Sequence, residues 1–340
     1  FDSTSRYHFK KMQLSKKQIL ITGVYRSGTE YFSHLLNQHP EISSTMYRVN
    51  ALRFIYERYG KKKINYKKLT HELSVRLQKR YNIKLNEKKY LKIINNKNYG
   101  EIYDIIMSNL YLTDKKKIWA EKNQLVWSKT NKFLKDLPNP YVIHVLRDPR
   151  NVLASFKRYT NSKPPAYLTS IFNSYDAMKN ILKNKHKKRF LFVKYEDLLL
   201  NPQNTFKKVQ NFIGVKNVSL VYKKNNFKYF NKKWIVNSSF QKNIKKSSDF
   251  KIEDSLNSFK TNLNNLELNF VEKVCGSMMK KFNYQLSQKN ETFPINEINK
   301  LLKKNRLLKT GFNNWVKKKI GFEKFPNDPL NSRNWDLRTL

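Results

Sequence analysis

The stretch that decides the fold is "QILITGVYRSGTEYFSHLLNQ", residues 18–38. "QILITGV" (18–24) is a short apolar run with β-branched residues, the signature of a buried strand in a parallel sheet. Gly23 and Gly28 then frame four residues. "TEYFSHLLNQ" resumes with helical spacing, placing Tyr31, Phe32, Leu35 and Leu36 on one stripe, and "HPEI" closes it. A strand, a glycine-bounded turn and a helix N-terminus together make an anion site. Backbone N–H groups converge there, and the helix end adds about 0.3–1 kcal/mol of attraction at an exposed terminus. Ser27 and Thr29 supply hydroxyls, and Arg26 supplies a fixed cation whose fork suits a tetrahedral oxyanion. A nucleoside triphosphatase would carry Lys followed by Ser or Thr where this chain has Thr29-Glu30. The missing lysine and the added carboxylate disfavour an NTPase or kinase. The plain alternative is an ordinary strand-to-helix turn with a surface arginine.

The same pattern recurs along the chain. "KIWAEK" (117–122) reads as a short strand, and "QLVWSKTNKFLKDL" (124–137) as an amphipathic helix ended by "PNP". "YVIHVLR" (141–147) is a second strong buried strand. Pro149 then opens the helix "RNVLASFKRY", at a position where proline's missing N–H costs nothing. After the break "SKPPAYL", residues 167–184 read as helix. "RFLFVKY" (189–195) is a third strand, and "NPQNTFKKVQNFIG" a helix closed by Gly214. Residues 49–112 read as basic helices, 215–250 as irregular and lysine-rich, and "NLELNFVEKVCGSMMKKFNY" as a last amphipathic helix. Strands alternating with helices predict an α/β fold, a parallel sheet covered on both faces. The expected division is a domain over 1–285 and a basic helical extension over 286–340.

Composition bounds the function. The chain has 340 residues and a formal net charge of +44, which predicts an acidic partner such as nucleic acid, an anionic membrane or an anionic substrate. Drift toward A+T-rich codons explains much of that charge equally well. A lone cysteine, Cys275, excludes an internal disulfide and a Cys-rich zinc site, and the histidines show no metal-ligand spacing, so no metal is expected. No apolar run approaches the ~20 residues of a membrane span. A cytoplasmic protein is expected, or a Golgi-lumenal one if an upstream anchor has been removed.

Two further constellations carry chemistry. In "VIHVLRDPRNVLASFKRY", Arg147 ends a buried strand at the carboxyl edge, where α/β sheets bind ligands, and Ser155 lies on the following helix. Both suit a second phosphate, while a structural salt-bridge turn is the plain alternative. In "FLFVKYEDLLLNP", Tyr195 follows a strand, placed to stack on a base, bond a phosphate or cap a helix.

In this order and spacing the three pieces resemble the sulfotransferases that use 3′-phosphoadenosine-5′-phosphosulfate (PAPS). The resemblance spans roughly residues 18–285. It implies a P-loop-like α/β domain and metal-independent sulfuryl transfer to a hydroxyl or amine. "VYRSGTEYF" resembles the family's 5′-phosphosulfate loop in its Arg-Ser-Gly-Thr form, as in bacterial, glycan and tyrosylprotein enzymes. That implies donor contacts from Arg26, Ser27, Gly28, Thr29, Glu30 and Tyr31. "VLRDPRNVLASFKR" is similar to the 3′-phosphate motif, with Arg147 and Ser155 gripping. "KYEDLLLNP" places Tyr195 at the nucleotide. "WAEKNQLVW" places Glu121 and Lys122 near the reacting centre, with Lys122 catalytic. "WIVNSSF" implies donor contacts from Ser238 and Ser239. The departure is the general base. Many relatives carry a glutamate six or seven residues after His-Pro, where this chain has Met46 and Tyr47. Glu57, Glu121, His39 and His144 are substitutes. Glu57 is preferred, and His144 reads as a core residue. The acceptor is expected to be an anionic glycan or acidic peptide. Membrane-surface contact by the extension and homo-oligomerisation stay open. The rival class is a basic nucleic-acid-binding protein, although no helix-turn-helix, zinc-finger or RNP signature is present.

Overall fold

A computed structural model describes residues 14–45, 49, 51–59, 63–81, 84–160, 166–186, 188–219, 228–229, 232–233, 252–287 and 295–317. Five parallel strands form the central sheet in the order β2-β3-β1-β4-β5: β1 (Gln18–Thr22), β2 (Ile42–Thr45), β3 (Ile118–Lys122), β4 (Pro140–Leu146) and β5 (Phe190–Lys194). β1 lies between β3 and β4, with Ile21 opposite Lys122 on one side and Thr22 opposite His144 on the other. After β1 the chain moves to one side of it, and after β3 it crosses to the other. The carboxyl edge between β1 and β4 is therefore a switch point, where ligands of open α/β sheets bind.

Strand parity builds both cores. Ile19, Ile21, Ile143 and Val145 face α1 (Thr29–Leu36), α9 (Tyr195–Leu200) and α10 (Pro202–Ile213), where Phe32 and Phe206 stack at 5.5 Å. Leu20, Trp119, Val142 and Leu146 face the opposite layer. That layer contains α5 (Tyr99–Tyr111), α7 (Pro149–Tyr159), α8 (Thr169–Lys183) and α13 (Asn265–Lys281). Asp104 of α5 ties this layer to the sheet, accepting from Trp119 Nε1 at 2.6 Å and Gln18 Nε2 at 3.3 Å. Burial raises its pKa, and those donors offset the rise.

Helix ends follow the expected chemistry. Asp148 caps α7 by accepting from Arg150 N, with Pro149 in the first turn. Asn98 with Glu101, and Asn264 with Glu267, form reciprocal capping boxes. Gly214 closes α10 with φ +69°. The predicted helix over 124–137 is shorter. Leu125 has φ +61°, a 3₁₀ turn covers Trp127–Lys129, and α6 runs Thr130–Asp136. β2 is a strand beyond the sequence reading.

Three helices, α2 (Ala51–Tyr59), α3 (Tyr66–Tyr81) and α4 (Glu87–Ile94), occupy the basic region before α5. Residues of α14 (Ile295–Lys304) and α15 (Arg306–Val316) join the same core as Leu20 and Trp119. Phe312 and Trp315 meet Phe172 of α8 at ring separations of 6.3 and 6.5 Å. Cys275 is fully buried, donates to Ile171 O, and has its pKa pushed up by burial. Among the described residues no helix is long and apolar enough to cross a membrane.

Candidate functional site

The turn after β1 is shaped by close approach. A Cβ at Gly23 would lie 2.5 Å from Val145 O, and one at Gly28 would lie 2.1 Å from the Tyr195 ring. Gly28 is the left-handed N-cap of α1, with φ +92°. Arg26 also has a positive φ, +70°, which costs a non-glycine residue roughly 1–2 kcal/mol. Such a conformation persists where surrounding contacts fix it. Here Ser27 Oγ donates to Val24 O at 2.8 Å, and Arg147 Nη1 donates to Arg26 O at 2.9 Å.

The turn and the edge of β4 are thus joined by arginines. Arg26 Nε donates to Ser155 Oγ at 3.1 Å, so the first loop and α7 meet directly. The Arg147 guanidinium sits 4.6 Å from the Tyr195 ring centroid, a cation–π arrangement. Burial lowers the Arg26 pKa, Glu30 opposes that shift, and neighbouring Arg147 and Arg158 add to it. Arg147 is buried and Arg26 half-buried, so the two cations concentrate positive charge at this turn. Thr29 Oγ1 accepts from Gln124 Nε2 at 2.9 Å, beside the same turn.

A family model described as "Sulfotransferase family" matches residues 18–218, which include β1, its loop, the Arg147–Ser155 segment and Tyr195. The chain belongs to this sulfotransferase family. Among solved structures, this sulfotransferase is similar to the sulfotransferase domain from the Synechococcus PCC 7002 olefin synthase. Identity is 16%, the TM-score 0.52, and the alignment covers 83% of this chain and 100% of that one. It is also similar to the sulfotransferase domain from the curacin biosynthetic pathway, at 17% identity and TM-score 0.54, covering 81% of this chain and 100% of that one. These likenesses show the fold. No curated protein matches the chain.

The remaining expected residues of this sulfotransferase divide by location. Lys122 ends β3 on the α1 side of the sheet. It is 1% exposed, and its Nζ is 3.7 Å from Glu30 Oε2. Tyr31 meets the Tyr195 ring edge-on at 6.3 Å. Glu121 points to the opposite face, because neighbouring strand residues alternate. There it accepts from the Tyr103 hydroxyl and from Ala51 N at 3.4 Å, away from Lys122. His39 is bonded to Lys216 O and Glu41 N, a structural role. His144 is 1% exposed between Trp127 and Phe190, and burial lowers its pKa to about 3. Glu57 lies on α2, with its side chain outside the described atoms, as are Ser238, Ser239, Met46 and Tyr47.

Two groups escaped the sequence reading. Ser255, on the short helix α11 (Ile252–Leu256), accepts from Arg147 Nη2 at its carbonyl (2.8 Å) and hydroxyl (3.1 Å). Its hydroxyl also lies 3.2 Å from Tyr195 Oη. Arg150, in the turn after Arg147, is buried. It pairs with Asp148 (2.7 Å) and Glu272 (2.8 Å), and lies 4.3 Å from the Phe259 ring centroid. Glu196 accepts from Asp148 N at 2.9 Å and from Tyr284 Oη at 3.0 Å. Arg150 and Glu196 therefore brace the Arg147 turn. No local motif announces either Ser255 or the brace, since the partners lie far away in the chain.

Proposed function

We propose that the chain transfers the sulfuryl group of PAPS to a hydroxyl or amine of an anionic glycan or acidic peptide, without a metal. The observation carrying this is the convergence of Arg26, Ser155, Arg147 and Tyr195 on one glycine-bounded turn at the switch point. The residues fit such a donor. Gly23 and Gly28 let the turn pack directly against Val145 O and the Tyr195 ring, where a Cβ would clash. The second arginine and Ser155 stand ready for a second phosphate, and the Tyr195 ring offers an aromatic surface.

The donor supplies an activated sulfuryl group whose departure leaves negative charge on the 5′-phosphate oxygen. Arg26 is the proposed stabiliser of that charge, and preorganised donors of this kind are worth roughly 3–4 kcal/mol each. The α1 amides and Thr29 hold the 5′ end. Arg147 and Ser155 hold the 3′-phosphate, joined in this reading by Ser238 and Ser239. Lys122 stands on the α1 side as the second cation. Of the four bases considered, His39, Glu121 and His144 are engaged or buried in structural roles, which leaves Glu57 as the proposed proton acceptor. The catalytic unit is taken as 1–285.

Ligand stabilisation tests the reading. Adenosine 3′,5′-bisphosphate should raise the melting temperature well beyond AMP or ATP, with or without EDTA. A screen of acceptors with labelled PAPS, read by mass spectrometry, then identifies what is sulfated. No shift with the bisphosphate, together with tight DNA binding at physiological salt, would favour the nucleic-acid reading instead.

A further inference from the structure

Glu30 is out of place on electrostatic grounds. It is the second residue of α1, at the helix end that attracts anions, and a carboxylate there repels them. Yet it faces the site. Its Oε2 lies 3.7 Å from Nζ of the buried Lys122, and Glu30 itself remains 19% exposed. Its charge also acts on Arg26 within the loop and on His34 one turn further along α1. Glu30 therefore offsets part of the positive charge of Arg26 and Lys122 beside the turn.

We propose that Glu30 makes the site selective for a terminal sulfuryl over a terminal phosphoryl group. This rests on the PAPS reading and sharpens it. The two groups share a tetrahedral shape and nearly the same size, so a cradle of backbone amides cannot separate them by fit. They differ in charge. A sulfuryl group carries one negative charge, and a terminal phosphate approaches two above its second pKa of about 6. A fixed carboxylate beside Lys122 leaves the cradle suited to the singly charged group. In a partly buried site one unit charge at a few ångströms is enough for at least about tenfold discrimination. The same Glu30 would set this loop apart from a triphosphate loop of similar spacing, where a lysine adds charge at the neighbouring position.

The test is titration calorimetry at pH 8 without acceptor. It compares PAPS with 3′-phosphoadenosine 5′-diphosphate, its isostere with a terminal phosphate. The unmodified chain should prefer PAPS by about tenfold or more. Glu30→Gln should lose most of that preference, chiefly by gaining affinity for the diphosphate. An unmodified chain without preference, or a Glu30→Gln variant that keeps it, overturns the proposal. Glu30→Gln removes the counter-charge of a buried lysine, so a measurement on the unmodified chain stands beside it. At pH 5.5 the diphosphate's terminal group is largely singly charged, and the preference should fall toward unity. His34, whose pKa is lowered to about 4 by burial, stays neutral there. A preference unchanged at pH 5.5 also overturns the proposal. Adenosine 3′,5′-bisphosphate separates the two readings. If it binds while the preference behaves otherwise than stated, only the role of Glu30 falls. If it fails to bind the unmodified chain, the donor reading falls and the proposal falls with it.

Discussion

The Tyr195 ring occupies the space that a side chain at Gly28 would need: a Cβ there would come within 2.1 Å of the ring. The backbone at Gly28 is also left-handed, at φ +92°. Gly28→Ala therefore combines backbone strain with overpacking, and should lower stability by about 2–4 kcal/mol. Urea unfolding measures it. Tyr195→Ala in the same chain should recover part of the loss, because the two changes share one contact. Additive losses would show that the ring and the glycine are independent.

Arg26 bonds Ser155 and sits at the centre of the proposed charge development. Arg26→Ala should reduce sulfuryl transfer by about 10²–10³-fold while the unfolding midpoint moves little. Arg26→Lys keeps the charge without the fork and should fall between. Turnover is read by mass spectrometry. Near-normal turnover in Arg26→Ala would remove Arg26 from the mechanism.

Arg147 holds Arg26 O, Ser255 and the Tyr195 ring at once. Arg147→Ala should weaken adenosine 3′,5′-bisphosphate binding by more than about tenfold, since a charge-assisted contact contributes roughly 1.5–3 kcal/mol. Ser255→Ala removes one neutral partner and keeps the carbonyl contact, so its effect should stay within about fivefold. Calorimetry separates the two, and equal losses would mean that Ser255 is itself part of the binding surface.

Two buried histidines set the acid limit of stability. Burial lowers the pKa of His144 to about 3 and that of His34 to about 4, against 6.5 for the free side chain. The unfolded chain therefore takes up protons first as pH falls. Stability is complete above about pH 6.5 and declines below it, at roughly 1 kcal/mol per pH unit for each histidine, down to the folded-state values. Neither ring nitrogen of His144 has a hydrogen-bond partner among the described residues. His144→Phe should consequently make the decline between pH 6.5 and 4 shallower, at small cost at pH 7. Urea midpoints across that range measure the slope, and an unchanged slope would acquit His144.

The sheet was legible where burial is total and signals are local. Ile19 to Ile21, Val142 to Val145 and the turn residues Gly28, Pro149 and Gly214 each declare their role within a few positions. β2 was not legible, because "ISST" has too few apolar residues to read as a strand. Its polar groups are satisfied by tertiary partners: Ser44 Oγ meets Ser33 Oγ at 2.7 Å, and Ser44 N donates to Asn37. The site divides the same way. Arg26, Arg147, Ser155 and Tyr195 follow from motifs on strand edges. The Lys122–Glu30 pair and the Arg147–Ser255 contact join segments about a hundred residues apart. The opposite facing of Glu121 and Lys122 follows from strand parity, once the register of β3 is known.

The clamp on Arg147 reaches beyond the segment that defines the family. The family match ends at residue 218, yet Arg147 is held by Ser255, Asn151 by Leu256 O and Phe259 N, and Arg150 by Glu272. A chain cut at 218 would keep every residue that the family model matches. It would also expose the buried Arg147 and Arg150 and lose the partners that aim them. What identifies this protein by comparison and what holds the Arg147 turn together are thus different lengths of chain, and a minimal active fragment should be drawn by the second.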